Sequence, residues 1–137
     1  MTKISLYSCP CYFPFVFAVH TWLLIEEDGK VSRFEKGWTT SFPQGIRSGY
    51  VYQDSMPSTA ANSFLPFVSW SPFKARCEGV FTGADAARMA ACIRSSPERY
   101  PYTDSYNILF HNSNGYVKWI LAQFPSCGLN MPWNAFG

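Results

Sequence analysis

Two residues with catalytic chemistry lie in well-defined segments near opposite ends of the chain. His20 belongs to the early segment AVHTWLLIEE, and Ser113 belongs to the late segment HNSNGYVKWIL. Histidine changes its charge near neutral pH and acts as a general base, and a serine hydroxyl becomes a nucleophile when such a base takes its proton. The sequence therefore suggests that His20 and Ser113 belong to one site.

The small polar residues around Ser113 are typical of a helix start. Asn112 and Ser113 are both favoured N-cap residues, and the apolar residues that follow have helical spacing. The positive end of a helix dipole lowers the pKa of a cysteine thiol, but it does not suffice to ionise a serine hydroxyl. Ser113 is therefore either a helix cap or a nucleophile that depends on a base such as His20, and both interpretations stay open at this point.

The turn after the His20 segment predicts a carboxylate partner for the imidazole. Asp28-Gly29 is a strong signal for a two-residue hairpin, whose register places Trp22 opposite Glu35. Glu35 then becomes a diagonal neighbour of His20 on the same face, at about 7–8 Å between backbones. A carboxylate there would fix the tautomer of the ring and stabilise its charged form. The alternative is a core histidine that is hydrogen-bonded to backbone groups.

The first part of the chain predicts the strands that hold His20 and Glu35. Stretches rich in β-branched and aromatic residues, bounded by Gly and Pro, read as strands at 15–26, 30–36, 49–54, 67–70 and 75–81. The segments between them, at 37–49 and 55–66, are rich in turn residues and are predicted loops.

Two helices are predicted in the second part of the chain. The first starts with a capping-box-like segment at Thr82–Asp85 and ends at Pro97, and the second starts near Ser113 and stops at Pro125. Their apolar faces comprise Ala86, Met89, Ala90 and Ile93 in the first helix, and Val117, Ile120, Leu121 and Phe124 in the second. Strands followed by helices predict an α+β fold with a mainly antiparallel sheet packed against two or three helices.

The composition describes a globular chain with few charges. Its 137 residues predict one domain at 1–137, with 18% aromatic and only 15% charged residues, against a usual charged share of about a quarter. The low charge favours a partner, a membrane surface or a homo-oligomer, although an uncharged polar surface explains it equally well. The net charge is +2 without a basic run, so nucleic-acid binding is not expected.

The cysteines favour neither a disulfide framework nor a metal site. The five cysteines are an odd number, Cys9-Pro10-Cys11 is spaced too tightly for a zinc knuckle, and there are only two histidines. We expect reduced thiols, no metal and no cofactor. The apolar N-terminal segment lacks the pattern of a signal peptide and is interrupted by prolines, which predicts a cytoplasmic protein with peripheral membrane contact as an alternative.

The three polar motifs together resemble a known superfamily. HTW on an early strand, EKGW on the return strand and HNSNGYVKWIL at the start of a late helix are similar to the circularly permuted papain-like superfamily, which includes NlpC-type and lecithin retinol acyltransferase-related proteins. The resemblance covers roughly residues 14–124. It is nearest to a subgroup known as a domain of unknown function, with Ser at the nucleophile position.

The resemblance implies roles for individual residues. His20 matches the base of that superfamily, Glu35 is the candidate for the orienting third position, and Ser113 stands where the nucleophilic cysteine belongs. Residues expected to contact a small-molecule, peptide or lipid ligand are Asn112, Asn114, Tyr106 and Trp22.

Three functions follow from this resemblance and from the composition. The first is a non-catalytic or strongly altered ligand-binding descendant of a hydrolase, that is, a pseudoenzyme. The second is an active amidase, esterase or acyltransferase that uses Ser113, His20 and Glu35. The third is a protein-interaction or membrane-associated module, which the low charge and the many aromatic residues favour.

Overall fold

In the computed structural model the described residues are 1–10, 17–36, 51–54, 75–102 and 112–137. Within these ranges the chain forms five strands, two helices and one 3-10 turn. The strands are β1 (Thr2–Pro10), β2 (Val19–Glu27), β3 (Lys30–Lys36), β4 (Val51–Gln53) and β5 (Arg76–Thr82). The helices are α1 (Ala84–Arg99) and α2 (Ser113–Ala122), and the 3-10 turn is Pro125–Cys127.

The five strands form one antiparallel sheet in the order β4-β3-β2-β1-β5. The α+β class predicted from the sequence is therefore confirmed, and the strands expected at 30–36, 49–54 and 75–81 correspond to β3, β4 and β5. The strand expected at 67–70 and the loops expected at 37–49 and 55–66 lie outside the described residues.

The hairpin between β2 and β3 has the predicted turn and register. Asp28 and Gly29 both have positive φ, at 52° and 76°, which is the backbone of a type I′ turn. The strands pair from Glu27↔Lys30 to Leu23↔Phe34, so the same register continues to Trp22 and Glu35. This local turn sets the relative position of every side chain on the two strands.

The two faces of the sheet have different partners. Both helices pack against one face, where residues such as Leu23, Ile25 and Phe34 join the main core with Met89 and Ile120. Because side chains alternate along a strand, the neighbouring residues point to the other face. A second, smaller cluster of Cys9, Trp22 and Leu24 lies there. His20 and Glu35 belong to this second face, away from the helices.

The ends of α1 differ from the sequence-based prediction. Gly83 is the N-cap and no side chain caps this helix, so the capping box expected at Thr82 is wrong. Pro97 does not end the helix but lies inside it. Proline has no N–H for the Ile93 carbonyl, and the Ser96 hydroxyl donates to that carbonyl instead, at 2.5 Å.

The helix ends only at the next proline. Tyr100 follows Arg99 and has φ −63° and ψ 123°, an extended conformation. Steric contact with the ring of Pro101 disfavours helical geometry at the preceding residue. Neither described helix is long and apolar enough to cross a lipid bilayer.

Gly29 should be the residue of the turn that tolerates substitution least. Gly29→Ala places a β-carbon at φ 76°, and we expect it to lower the free energy of unfolding by about 1–2 kcal/mol in urea denaturation. Gly29→Asn is the matched control, since asparagine adopts this conformation readily and should cost less. An equal loss in both variants would contradict the type I′ assignment.

Candidate functional site

The structure brings His20 and Glu35 together as the hairpin register predicts. The distance between His20 Nε2 and Glu35 Oε1 is 2.6 Å. The His20 side chain keeps 16% of its surface exposed, whereas that of Glu35 keeps 5%. The imidazole therefore has one nitrogen bound to a buried carboxylate, and the ring still reaches solvent.

A buried arginine completes this charged cluster. Arg33 lies two residues before Glu35 on β3, so both point to the same face. Its Nε donates to Glu35 Oε2 at 2.5 Å and its Nη2 donates to Oε1 at 3.0 Å. Its guanidinium carbon lies 3.8 Å from the centroid of the Trp22 ring. Arg33 is not among the site residues expected from the sequence, although its spacing of two from Glu35 on a predicted strand places both on one face.

The charges of this cluster control the ionisation of Glu35. Burial opposes the charged carboxylate, but the hydrogen bond and charge of His20 together with the charge and hydrogen bonds of Arg33 outweigh it. The net effect lowers the pKa of Glu35 to about 2. At neutral pH the carboxylate is ionised, and it holds the imidazole through Nε2.

Ser113 is committed to a different set of contacts. It is the first residue of α2, and its buried hydroxyl donates to the Thr21 carbonyl at 2.7 Å and accepts from the Lys36 amide at 3.1 Å. In the register of the hairpin, Thr21 lies opposite Lys36, two steps beyond the last paired residues. The serine hydroxyl therefore bridges two groups that would otherwise bond directly across the ladder.

The two asparagines beside Ser113 extend this bridge. Asn114 Oδ1 accepts from the amide and the hydroxyl of Thr21, and its Nδ2 donates to the carbonyls of Val19 and Phe136. Asn112 is the N-cap of α2, because its Oδ1 accepts from the Gly115 amide at 3.0 Å. We call Asn112, Ser113 and Asn114 the helix-start clamp: Ser113 and Asn114 fasten α2 to the open end of the β2–β3 ladder, and Asn112 caps the helix.

The expected site residues are thus only partly assembled. Among the described residues, the hydrogen bonds join His20 to Glu35 and Ser113 to Thr21 and Lys36, but they do not join His20 to Ser113. The clamp binds β2 from the side of α2, whereas His20 points to the opposite face.

The described residues that were expected to contact a ligand have partners within the chain itself. Both polar ends of the Asn112 and Asn114 side chains bind groups of the chain itself. Trp22 is fully buried between the Arg33 guanidinium and the ring of Tyr7. Tyr106 lies outside the described residues.

Cys9, which is not among the site residues expected from the sequence, lies beside His20. Cys9 on β1 is the cross-strand partner of His20 on β2, so the two side chains share a face. Its pairing depends on the contact between β1 and β2, which no motif in the sequence specifies. Within the described ranges, no group of three or more His, Cys, Asp or Glu side chains is arranged to hold a metal ion.

A family profile matches the chain over its whole length. The profile of a family described as "Protein of unknown function (DUF3750)" matches residues 1–137. No curated protein and no solved structure matches the chain.

Removal of the Glu35 charge should change the acid dependence of stability. The pKa is lower in the folded chain, about 2, than the ordinary value of 4.5. Ionised Glu35 therefore stabilises the fold above about pH 4.5, and this contribution is lost as the pH falls toward 2. We expect Glu35→Gln to cost about 3–5 kcal/mol at pH 7, because it removes the carboxylate facing a buried guanidinium.

Urea denaturation at pH 7 and pH 3 checks this prediction. The difference in the free energy of unfolding between the parent and Glu35→Gln should be smaller at the lower pH. Glu26→Gln is the control, because Glu26 forms an exposed pair with Lys3 at 3.4 Å and should cost less than about 1 kcal/mol. A gap that is the same at both pH values would refute the assignment.

The bridge made by Ser113 should be measurable as stability. Ser113→Ala removes the hydroxyl between the Lys36 amide and the Thr21 carbonyl, and we expect a loss of about 1–3 kcal/mol. Faster hydrogen exchange at the Lys36 amide would locate the effect. Ser95→Ala, at an exposed serine of α1, should change stability by less than about 0.5 kcal/mol. Similar losses in both variants would show that the bridge is unimportant.

Proposed function

The chain belongs to the DUF3750 family, and we propose that it is a strongly altered ligand-binding descendant of a papain-like hydrolase, in which His20 is the recognition group and Ser113 has a structural role. The observation that carries this proposal is the bonding of Ser113. The Ser113 hydroxyl donates its hydrogen bond to the Thr21 carbonyl. A nucleophilic serine must instead donate to a base that can accept its proton. A Ser113–His20–Glu35 hydrolase is correspondingly disfavoured.

The charges around His20 indicate the class of ligand. Arg33 and Glu35 form a two-point ion pair and offset each other. A protonated imidazole then leaves the cluster with a net positive charge, and its Nδ1–H is the donor that does not bind Glu35. The chemistry that fits is an anionic oxygen acceptor, either the carboxylate of a small molecule or peptide, or a phosphate group.

A second candidate function is contact with a protein or membrane surface. Three large aromatic side chains are exposed near the start of β2 and in the C-terminal segment: Phe17 at 64%, Trp133 at 85% and Phe136 at 44%. Phe136 lies 6.4 Å from each of the other two, measured between ring centroids. Exposed aromatic clusters of this kind favour an interaction surface.

Titration with anions tests the binding role of His20. In ¹⁵N-labelled protein, acetate or inorganic phosphate should shift the His20 ring resonances in a saturable manner, and His111 serves as the internal reference. The backbone amides of β2 report binding in the His20→Gln variant, where saturation should be lost. Ser113→Ala should bind with an affinity within about twofold of the parent, because a factor of two is only about 0.4 kcal/mol.

Two results would count against the proposal. One is the absence of a saturable change at His20 with either anion. The other is a loss of binding in a folded Ser113→Ala variant, which would return Ser113 to the ligand site.

A further inference from the structure

Cys9, His20 and Glu35 form a row across three neighbouring strands. Cys9 on β1 pairs with His20 on β2, and His20 Nε2 binds Glu35 Oε1 on β3 at 2.6 Å. All three side chains belong to the face of the sheet that lies away from the helices. A nucleophile, a base and a carboxylate that orients the base therefore follow one another in space.

The bonding of the imidazole suits it to act on the sulfur. Because Glu35 holds Nε2, Nδ1 is the ring nitrogen that can take a proton. Directly paired residues on adjacent antiparallel strands have β-carbons about 4.5–5.5 Å apart, so a thiol and an imidazole in these positions are within reach of each other. A thiol is also far easier to ionise than the serine hydroxyl that the sequence suggested.

The surroundings of Cys9 combine an apolar wall with an opening. Trp22, Leu24 and Tyr7 pack with Cys9 in the smaller cluster. Cys9 is only 2% exposed, and a surface cavity of about 480 Å³ adjoins it, lined by Cys9 together with apolar, polar and charged residues. This cavity is the route by which a small electrophile would reach the sulfur.

We infer that Cys9 is the nucleophile of this site, that His20 accepts its proton, and that the site takes a carbon electrophile of the alkyl or acyl class. In the step, the proton moves from Cys9 Sγ to His20 Nδ1, and the thiolate forms a bond to the electrophilic carbon. The bond from that carbon to its leaving group breaks, the leaving group departs with the electron pair, and a basic leaving group takes the proton from His20.

The inference uses the His20–Glu35 pair of the proposed function and adds a reactive group to it. Other charged or titratable groups nearby, among the described residues, are Arg33 on β3, Tyr7 on β1, and Arg76, Cys77 and Glu78 on β5. Arg76 and Glu78 line the same cavity and pair with each other at 3.6 Å. Since Arg33 and Glu35 also form a pair, protonated His20 is the remaining charge that favours a thiolate at Cys9.

The experiment is pulsed alkylation of the complete folded chain with iodoacetamide at a series of pH values. Mass spectrometry of peptides reads the modification, and fragment ions separate Cys9 from Cys11. The rate at Cys9 should rise to a plateau with a midpoint at least one pH unit below the ordinary thiol value of about 8.5. His20→Gln should move that midpoint back to about 8.5 or above. Burial slows access to the sulfur and raises the thiol pKa rather than lowering it, so it does not imitate a lowered midpoint.

Two controls test whether the change in the alkylation midpoint is specific to Cys9 and His20. The exposed Cys77 is the internal reference, and its rates should not change in His20→Gln. Ser113→Ala is the matched control, because it perturbs the same end of β2 from the opposite face and should leave the Cys9 midpoint in place.

The inference is overturned if Cys9 is not alkylated in the folded chain, if its midpoint lies at or above about 8.5, or if His20→Gln leaves the midpoint unchanged. An equal shift in Ser113→Ala would also overturn it. Anion binding at His20 is measured separately. If the Cys9 alkylation midpoint is ordinary while acetate still binds, only the inference about Cys9 is contradicted. If the Cys9 midpoint is low but no anion binds, only the proposed function is contradicted.

Discussion

The bridge from the Lys36 amide through the Ser113 hydroxyl to the Thr21 carbonyl is the contact on which the attachment of α2 to the sheet depends. It replaces a direct ladder bond at the point where β2 and β3 separate. Asn114 satisfies the amide and hydroxyl of Thr21 beside it. Because buried backbone groups are costly to leave unbonded, these contacts anchor α2 to the sheet. His20 and Glu35 lie on the opposite face of the same two strands and have their own hydrogen bond.

The opposite face of the same strands carries a second constraint of a different kind. Burial of Arg33 and Glu35 has a large desolvation cost, which their two-point contact and the bond from His20 must offset. Such a cluster contributes orientation more than stability. Its effect here is to hold one nitrogen of the imidazole in a residue whose cross-strand partner is Cys9.

Features that depend on nearby residues could be predicted from the sequence. The Asp28-Gly29 turn implied the register, and the register implied the contact between His20 and Glu35, since both follow from chain geometry over a few residues. The same local reasoning failed at Pro97, where the Ser96 hydroxyl compensates for the missing N–H and the helix continues. It also failed at Thr82, because a capping pattern does not guarantee a side-chain bond.

The sequence by itself determined the α+β class, the hairpin and the pairing of His20 with Glu35, because alternation and turn chemistry act between close neighbours. Only the tertiary structure decided what Ser113 and Cys9 contact. Ser113 meets Thr21 across 92 positions of the chain, and Cys9 meets His20 because β1 lies beside β2. Contacts of this kind depend on how whole elements pack, and side-chain spacing along the chain carries no information about them.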